Sequence, residues 1–457
     1  MNRVWRFTWP RCIFGTLFLL LAVFGFIYPG YTVVEAICDP ALNGPGVPIL
    51  ARRLHARLAG SYEKWARKRI ASGAAKRLSI SDVAGTEWPL YGSVFYLWAE
   101  EALQDAWEHD HSLFAVEPRK EAEGAIDAAA RFVADPAQAN WVKLYWGDAY
   151  LTRKNLFYRM LLISARASHQ RLTGNGEFRE LLQTQTNSLA AELTTSPSGS
   201  LDDYPDQCYP TDVMSAWYAI RRADAVLGTD HSSQIADGLR AFTGTHATDL
   251  GLPSYRAVAD SGEPIGPARG CANSNGCMLA PALWPKQAAV WYAAHEKHFW
   301  QRDWLAAGFR EFPRAPDSPE WYFDVDSGPV IRGNGFAACA FGIAAARRQG
   351  RFDHAYPLSV EMVSLSWPLP GALTVPRLVS DSANAPFLGE AAILFQLSTQ
   401  PVFPIAAHHR GALPAIVWIC LAIYLGGGFL FLRWAYLCIR SRQRPQTTDS
   451  SEKMSKN

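Results

Sequence analysis

The segment from Asp324 to Gly335, Asp-Val-Asp-Ser-Gly-Pro-Val-Ile-Arg-Gly-Asn-Gly, sets two carboxylates, a hydroxyl and a guanidinium in one glycine-rich stretch. Asp324 and Asp326 are two apart, so in an extended segment they point to the same side. Neighbouring carboxylates repel, which raises one pKa and suits that group to general-acid work. The preceding Glu320-Trp321-Tyr322-Phe323 adds flat faces. Trp321 and Tyr322 are therefore candidates for stacking on a ligand. The plainer reading is a turn in which Asp326 and Ser327 cap the next helix.

A second stretch, Leu201 to Asp212, reads Leu-Asp-Asp-Tyr-Pro-Asp-Gln-Cys-Tyr-Pro-Thr-Asp. Pro205 and Pro210 fix the backbone, and Tyr204 and Tyr209 offer further stacking faces. Asp206 is placed to project from a rigid turn as an acid or base. Asp212 falls in the first turn of a helix opened by Pro210, where it either complements the helix dipole or touches a ligand. Asp202 and Asp203 read as solvated turn residues. Cys208 is a buried thiol, a disulfide partner or a nucleophile, although no histidine adjoins it in sequence.

The third stretch runs from Ile265 to Cys277. Arg269, in a Gly/Pro setting, could hold a carboxylate, a phosphate or a sugar hydroxyl, with Asn273 and Asn275 adding amides. Ala-Asn-Ser-Asn-Gly joins Cys271 to Cys277 as a flexible turn. A local disulfide is expected there in an oxidising compartment, with two free thiols as the alternative. Asn155 and Arg159, four apart on one helix face, could line an interior. His295 and His298 lie three apart without an evident third ligand. No paired CxxC or HExxH pattern occurs, so neither a metal nor a cofactor is expected.

These segments need elements to hold them. Apolar residues recur at helical spacing through most of the chain, as in Ala125, Ile126, Ala129, Phe132 and Val133, and alternating strand patterns are scarce. The spacing predicts eleven or twelve helices of ordinary length, with long connections around 195–210, 250–281, 311–335 and 367–385. Four such connections fit a helical barrel whose mouth is built from loops.

The ends of the chain differ from its middle. Residues 12–34 and 409–439 are apolar runs of bilayer-crossing length, and we expect both to be retained as membrane helices. Arg3, Arg6 and Arg11 precede the first; Arg433, Arg440, Arg442 and Arg444 close the second. The positive-inside rule then places residues 1–11 and 440–457 in the cytoplasm, the latter as a disordered basic tail, with residues 35–408 in the periplasm or outside the cell. The overall charge of +2 hides an acidic middle. That part carries 34 basic against 40 acidic side chains, about −6, which argues against nucleic-acid binding.

The run of helices with acidic, aromatic connections resembles the (α/α)6-toroid enzymes, which include glycoside hydrolases, polysaccharide lyases and sugar epimerases. The likeness rests on Tyr204–Asp212, Ala268-Arg269-Gly270 and Asp324–Pro329, and spans most of residues 80–400. The same segments are similar to the linalool dehydratase-isomerase group, another (α/α)6 barrel with two pocket cysteines. Cys208 matches one of them; Thr211 and Asp212 stand where the second thiol is expected. The resemblance implies an all-α toroid flanked by two transmembrane helices, and an enzyme acting on an envelope carbohydrate or glycoconjugate. Asp206 with Asp324 or Asp326 would be its acid/base pair. Tyr204, Tyr209, Trp321, Tyr322 and Arg269 would hold the substrate, with Asp212, Asn155 and Arg159 as further contacts. A lyase or isomerase of hydrophobic alcohols, with Cys208 as a proton donor, is the second reading. A non-catalytic scaffold binding a glycan or protein is the third.

Overall fold

The computed structural model describes residues 8–405 and 411–440. Arg3, Arg6, Arg442, Arg444 and the tail expected to be disordered lie outside them. Among the described residues helix predominates, and the strands form only short antiparallel pairings.

Twelve helices carry the packing. They are α1 (Ile49–Ser72), α2 (Trp88–His109), α3 (Glu123–Ala134), α4 (Leu156–Thr173), α5 (Arg179–Thr195) and α6 (Pro210–Leu227), followed by α7 (Ser232–Gly238), α8 (Gly270–Leu283), α9 (Pro285–Phe299), α10 (Phe336–Arg348), α11 (Phe352–Leu365) and α12 (Leu388–Ser398). The even-numbered helices contact one another in sequence: α2 packs on α4, α4 on α6, α6 on α8, α8 on α10, α10 on α12, and α12 on α2. The odd-numbered helices lie against this inner set. For example, α3 packs on α2 and α4, α5 on α4 and α6, and α11 on α10.

Composition explains the division. Helix α4 buries nearly every side chain from Leu156 to His169, polar ones included, as a helix surrounded by others must. Helix α10 is built from alanine and glycine, so its neighbours approach closely. A Cβ on Gly342 would strike the ring of Phe309, and one on Gly270, at the start of α8, would strike the Arg310 carbonyl.

The N-termini of the inner helices gather at one end. Tyr91 in the first turn of α2 donates to Asp212 in the first turn of α6 (3.0 Å). Gly92 packs on Leu388 at the start of α12, and Asn275 of α8 donates to Thr211 of α6 (3.1 Å). The long connections predicted from sequence mostly feed this end, here called the mouth.

Two helices are long and apolar enough to cross a membrane, Arg11–Cys38 and Ala415–Arg440. They pair antiparallel. Gly15 lies against Ile439, Phe18 is 5.5 Å from Trp434 between ring centres, and Gly30 meets Tyr424. The described ends of the chain therefore leave on the same side. The first helix relaxes to π geometry over Leu21–Ile27, where the Trp367 indole donates to the Gly25 carbonyl (3.0 Å). A group inserted into the backbone ladder is one recognised cause of such distortion.

Candidate functional site

The starts of several inner helices place side chains at the mouth. Glu87 precedes α2, whose first helical positions are Trp88 and Pro89; proline fits there because it has no N–H to leave unpaired. Tyr209 precedes α6, again with proline at its opening, and Asp212 follows one turn in. Arg269 and Gly335 precede α8 and α10. Between α9 and α10, Trp321–Asp324 pairs with Gly328–Ile331 as a hairpin reaching across the mouth.

At the centre two carboxyl groups are held by phenols. The Tyr204 hydroxyl bonds Glu87, and Tyr91 bonds Asp212. Burial is the main cause that raises both acids, opposed by the phenol hydrogen bonds and reinforced by the charge of Asp326. The Glu87 carboxyl is pushed up to about 8 and that of Asp212 to about 7. Asp203 lies beside them, 1 % exposed, and accepts from the Tyr209 amide (2.7 Å). Burial and then the charge of Asp212 hold its carboxyl well up. Tyr91, Phe157, Trp141 and Tyr204 form an aromatic wall, with ring centres 5.2 Å apart for Tyr91–Phe157 and 6.0 Å for Trp141–Tyr204.

A second layer sits at the rim. Asp326 accepts from the Tyr255 hydroxyl; its carboxyl is raised, first by loss of solvent around it and then by Asp324, against the opposing Tyr255 hydrogen bond. Arg269 bridges Glu311 (Nε to Oε1, 2.7 Å) and Asp324 (Nη1 to Oδ2, 2.8 Å), with its guanidinium 4.3 Å from the centre of the Tyr255 ring. Glu311 also accepts from the Cys271 amide and thiol (3.1 Å each). Arg269 is thus committed to two carboxylates and braces the rim.

The motif residues divide accordingly. Tyr204, Tyr209, Asp212, Arg269, Asp324, Asp326 and Tyr322 meet at the mouth. The two hairpin aspartates do not share an extended strand, because Asp326 sits in the turn. Asp324 accepts from the Ser327 amide and hydroxyl (2.7 Å each), and those bonds with Arg269 outweigh burial and hold its pKa down. That fits a fixed anion. Tyr322 faces Phe312 (5.2 Å), while Trp321 points out to solvent.

Besides Trp321, four predicted residues lie outside the cluster. Asp206 occupies a left-handed turn (φ 61°), exposed, with its charge felt by Lys154. Cys208 is fully buried; burial, then Asp203, pushes its thiol well up, which suits a packed group rather than a nucleophile. Asn155 precedes α4 in left-handed geometry and donates to the Tyr150 carbonyl (2.7 Å). Arg159 reaches outward to α5, pairing with Glu192 (2.8 Å) and Gln185 (3.0 Å).

The expected Cys271–Cys277 disulfide is corrected: both thiols are free, and no disulfide occurs among the described residues. The supposed turn is part of α8. Six residues of helix rise about 9 Å, beyond the reach of a disulfide. Among the described residues no group of three or more His, Cys, Asp or Glu is placed to hold a metal. His295 instead bonds Ser274 (2.9 Å), and burial lowers its pKa to about 3.

Glu87, Tyr91 and Tyr255 escaped sequence reasoning, and Asp203 was read as a solvated turn residue. Glu87-Trp88-Pro89 did carry a signal: an acid immediately before a proline-opened helix, close to the setting that flagged Asp212 in the first turn after Pro210. Two crevices lie away from the cluster. One, of about 10 Å³, is lined by Thr211, Met214, Asn273 and Trp291; the other, an open cleft of about 230 Å³, by Lys154, Glu192 and Asp202. Neither is lined by Glu87, Asp212 or Asp326, so shape and chemistry point to different places, and the perturbed carboxyls are the better guide to reactivity. No family model matches the chain, and no curated protein matches it.

Proposed function

We propose that the chain is a membrane-anchored enzyme of the (α/α)6-toroid type, with its helical body outside the cytoplasm, acting on a carbohydrate or glycoconjugate of the cell envelope by carboxylate acid/base catalysis. The cycle of contacts from α2 round to α12, with odd-numbered helices outside it, supports the toroid. The observation that carries the chemistry is the pair of buried, phenol-held carboxyls, Glu87 and Asp212, whose pKa values are pushed up to about 8 and about 7. A carboxyl of this kind can donate a proton to the leaving oxygen of a C–O bond.

In this reading Asp212, 7 % exposed, is the general acid, with Glu87 beside it as its proton partner. Asp326, at the rim with Tyr255, activates water as the base. Tyr204 and Tyr209 supply the faces for a sugar ring, and the Arg269–Asp324–Glu311 bridge holds the hairpin over them.

The aromatic wall of Tyr91, Trp141 and Phe157 favours one alternative, dehydration or isomerisation of a hydrophobic alcohol by the same acid. The test is a panel of envelope glycans and small terpene alcohols given to the full chain, with Asp212→Asn and Asp326→Asn as controls. Turnover of a glycan that both substitutions abolish supports the proposal. Turnover of alcohols alone selects the alternative, and activity that survives both substitutions rejects the site.

A further inference from the structure

The mouth has a direction relative to the membrane-length helices. The chain turns at Gly350 after α10, so α11 runs back toward the mouth. The C-terminal helix runs beside α11 in the same sense. Gly411 meets Asp353 and Pro357 near the start of α11, and the Tyr424 hydroxyl bonds the Ser364 carbonyl (2.8 Å) near its end. The helix then continues to Arg440, a further ~24 Å at 1.5 Å per residue. The N-terminal helix follows the same path in reverse, with the Ile37 carbonyl accepting from Tyr356 (2.9 Å) and Gly30 against Tyr424. Both apolar helices therefore project past the mouth end of the body. Trp367 locks that junction, bonded to Gly25 and packed edge-on against Phe26 (5.6 Å) and Tyr424 (4.9 Å).

The mouth end is also where the body exposes large apolar side chains. In the hairpin, Trp321 (71 % exposed) pairs with Ile331, and Phe323 (72 %) with Pro329. Directly opposed residues share a face, so these four form one outward apolar surface. Tyr322 and the buried Val330 occupy the other. Leu144, before α4, and Leu378 (75 %) with Val379, before α12, are further exposed apolar residues in connections that feed the mouth. At the opposite end the comparable exposure is sparse, as at Val116 and Val402. Aromatic and aliphatic side chains gathered beside a span are the composition of a membrane-interface surface.

We infer that the mouth face rests on the same bilayer that holds the two apolar helices, and that the substrate reaches Asp212 from that bilayer as a lipid-anchored glycoconjugate. The second half rests on the proposed activity; the first rests only on the two apolar helices crossing a bilayer.

The experiment uses the full chain in nanodiscs. An environment-sensitive fluorophore is attached at Phe323→Cys or Leu378→Cys, with Val116→Cys as the reference and the exposed Cys12 and Cys38 replaced by serine. Lipids bearing a nitroxide near the headgroup should quench the label at 323 and 378 at least about threefold more than at 116. Equal quenching at all three positions overturns the docking. Turnover is then compared for one glycan, lipid-linked in vesicles and free in solution, in the native chain and in Trp321→Ser/Phe323→Ser. A rate loss confined to the lipid-linked form supports entry from the bilayer; equal losses, or no loss, overturn it. Quenching at the mouth with no glycan turned over would leave the docking standing and sink the proposed function. Turnover of the free glycan without quenching would do the reverse.

Discussion

Two tyrosines, one on α2 and one on α6, shift in opposite directions. Tyr91, at the mouth, donates to Asp212; burial and then that carboxylate push its phenol well up. Tyr218, two turns further along α6 from Asp212, accepts from Arg222 (3.2 Å) and Arg348 (3.1 Å). Burial alone would raise Tyr218, but Arg348 and then Arg222 outweigh it and bring its pKa down. Arg222 also pairs with the buried Glu101. Toward the far end of the inner helices, buried acids and phenols meet guanidinium groups. At the mouth, Glu87 and Asp212 are bonded by phenols and crowded by Asp203 and Asp326. Among the described residues no guanidinium is bonded to either, although Arg269 at the rim does pair with the buried Glu311. A protein that needs a buried charge for packing supplies its counter-charge, whereas one that needs a proton held near neutrality withholds it. The proposed function rests on that contrast more than on any single shift.

The largest expected effect lies at the far end. Arg222→Met leaves Glu101 buried beside a lost partner, and breaking a buried pair costs about 3–5 kcal/mol. Thermal unfolding of the detergent-solubilised chain should show a fall in melting temperature of several degrees or more. A change below one degree would mean that the network is not structural, and the comparison would lose its reference.

At the mouth the sign reverses. Asp212→Asn should lower turnover by about 10²–10⁴-fold, the usual contribution of a general acid. It should also stabilise the fold above neutral pH. A carboxyl raised from the ordinary value near 4 to about 7 weakens the fold as pH climbs through that interval, and the cost is absent while the group is protonated in both states. The native chain should therefore melt at a lower temperature at pH 8.5 than at pH 5. Asp212→Asn should flatten that slope, by up to about 4 kcal/mol at the alkaline end. An unchanged slope would show that Asp212 is ionised and merely paired.

The sequence carried the helical architecture because periodic apolar residues and proline-opened helices are local signals. It also carried Asp212, Arg269 and Asp326, each flagged by a glycine- or proline-shaped neighbourhood. It missed Glu87 because one acid before a helix is common, and only burial in the folded mouth, with the distant Asp326, raises its pKa. Asp206 and Cys208 misled for a related reason. A rigid turn shows that a side chain projects, not toward what, and Asp206 projects away from the mouth in left-handed geometry. The Cys271–Cys277 pair shows the limit of reading spacing alone. Asn-Ser-Asn-Gly looks like a turn, yet close packing of α8 on α6 and α10 keeps it helical.

A smaller effect tests the phenol with the lowered pKa. Ultraviolet difference titration should show one fewer phenolate forming in the alkaline range for Tyr218→Phe, at a pH below that of the bulk tyrosines. Arg348→Met should move that step upward by about one unit. If the step stays put, the Arg348 guanidinium does not govern the phenol.

The finest test removes a single oxygen. The hydrogen bond from Tyr91 lowers the Asp212 pKa against the push of burial. Tyr91→Phe should therefore raise it further and carry the alkaline limb of the pH–rate profile upward by about half to one unit. The plateau rate should change only a few-fold, because the acid itself remains. The direction matters more than the size. A phenol that only shaped the cavity would lower the plateau and leave the limb in place, whereas one that helps to ionise Asp212 moves the limb. A downward move would mean that Tyr91 bonds Asp212 in its protonated form and holds the proton on it.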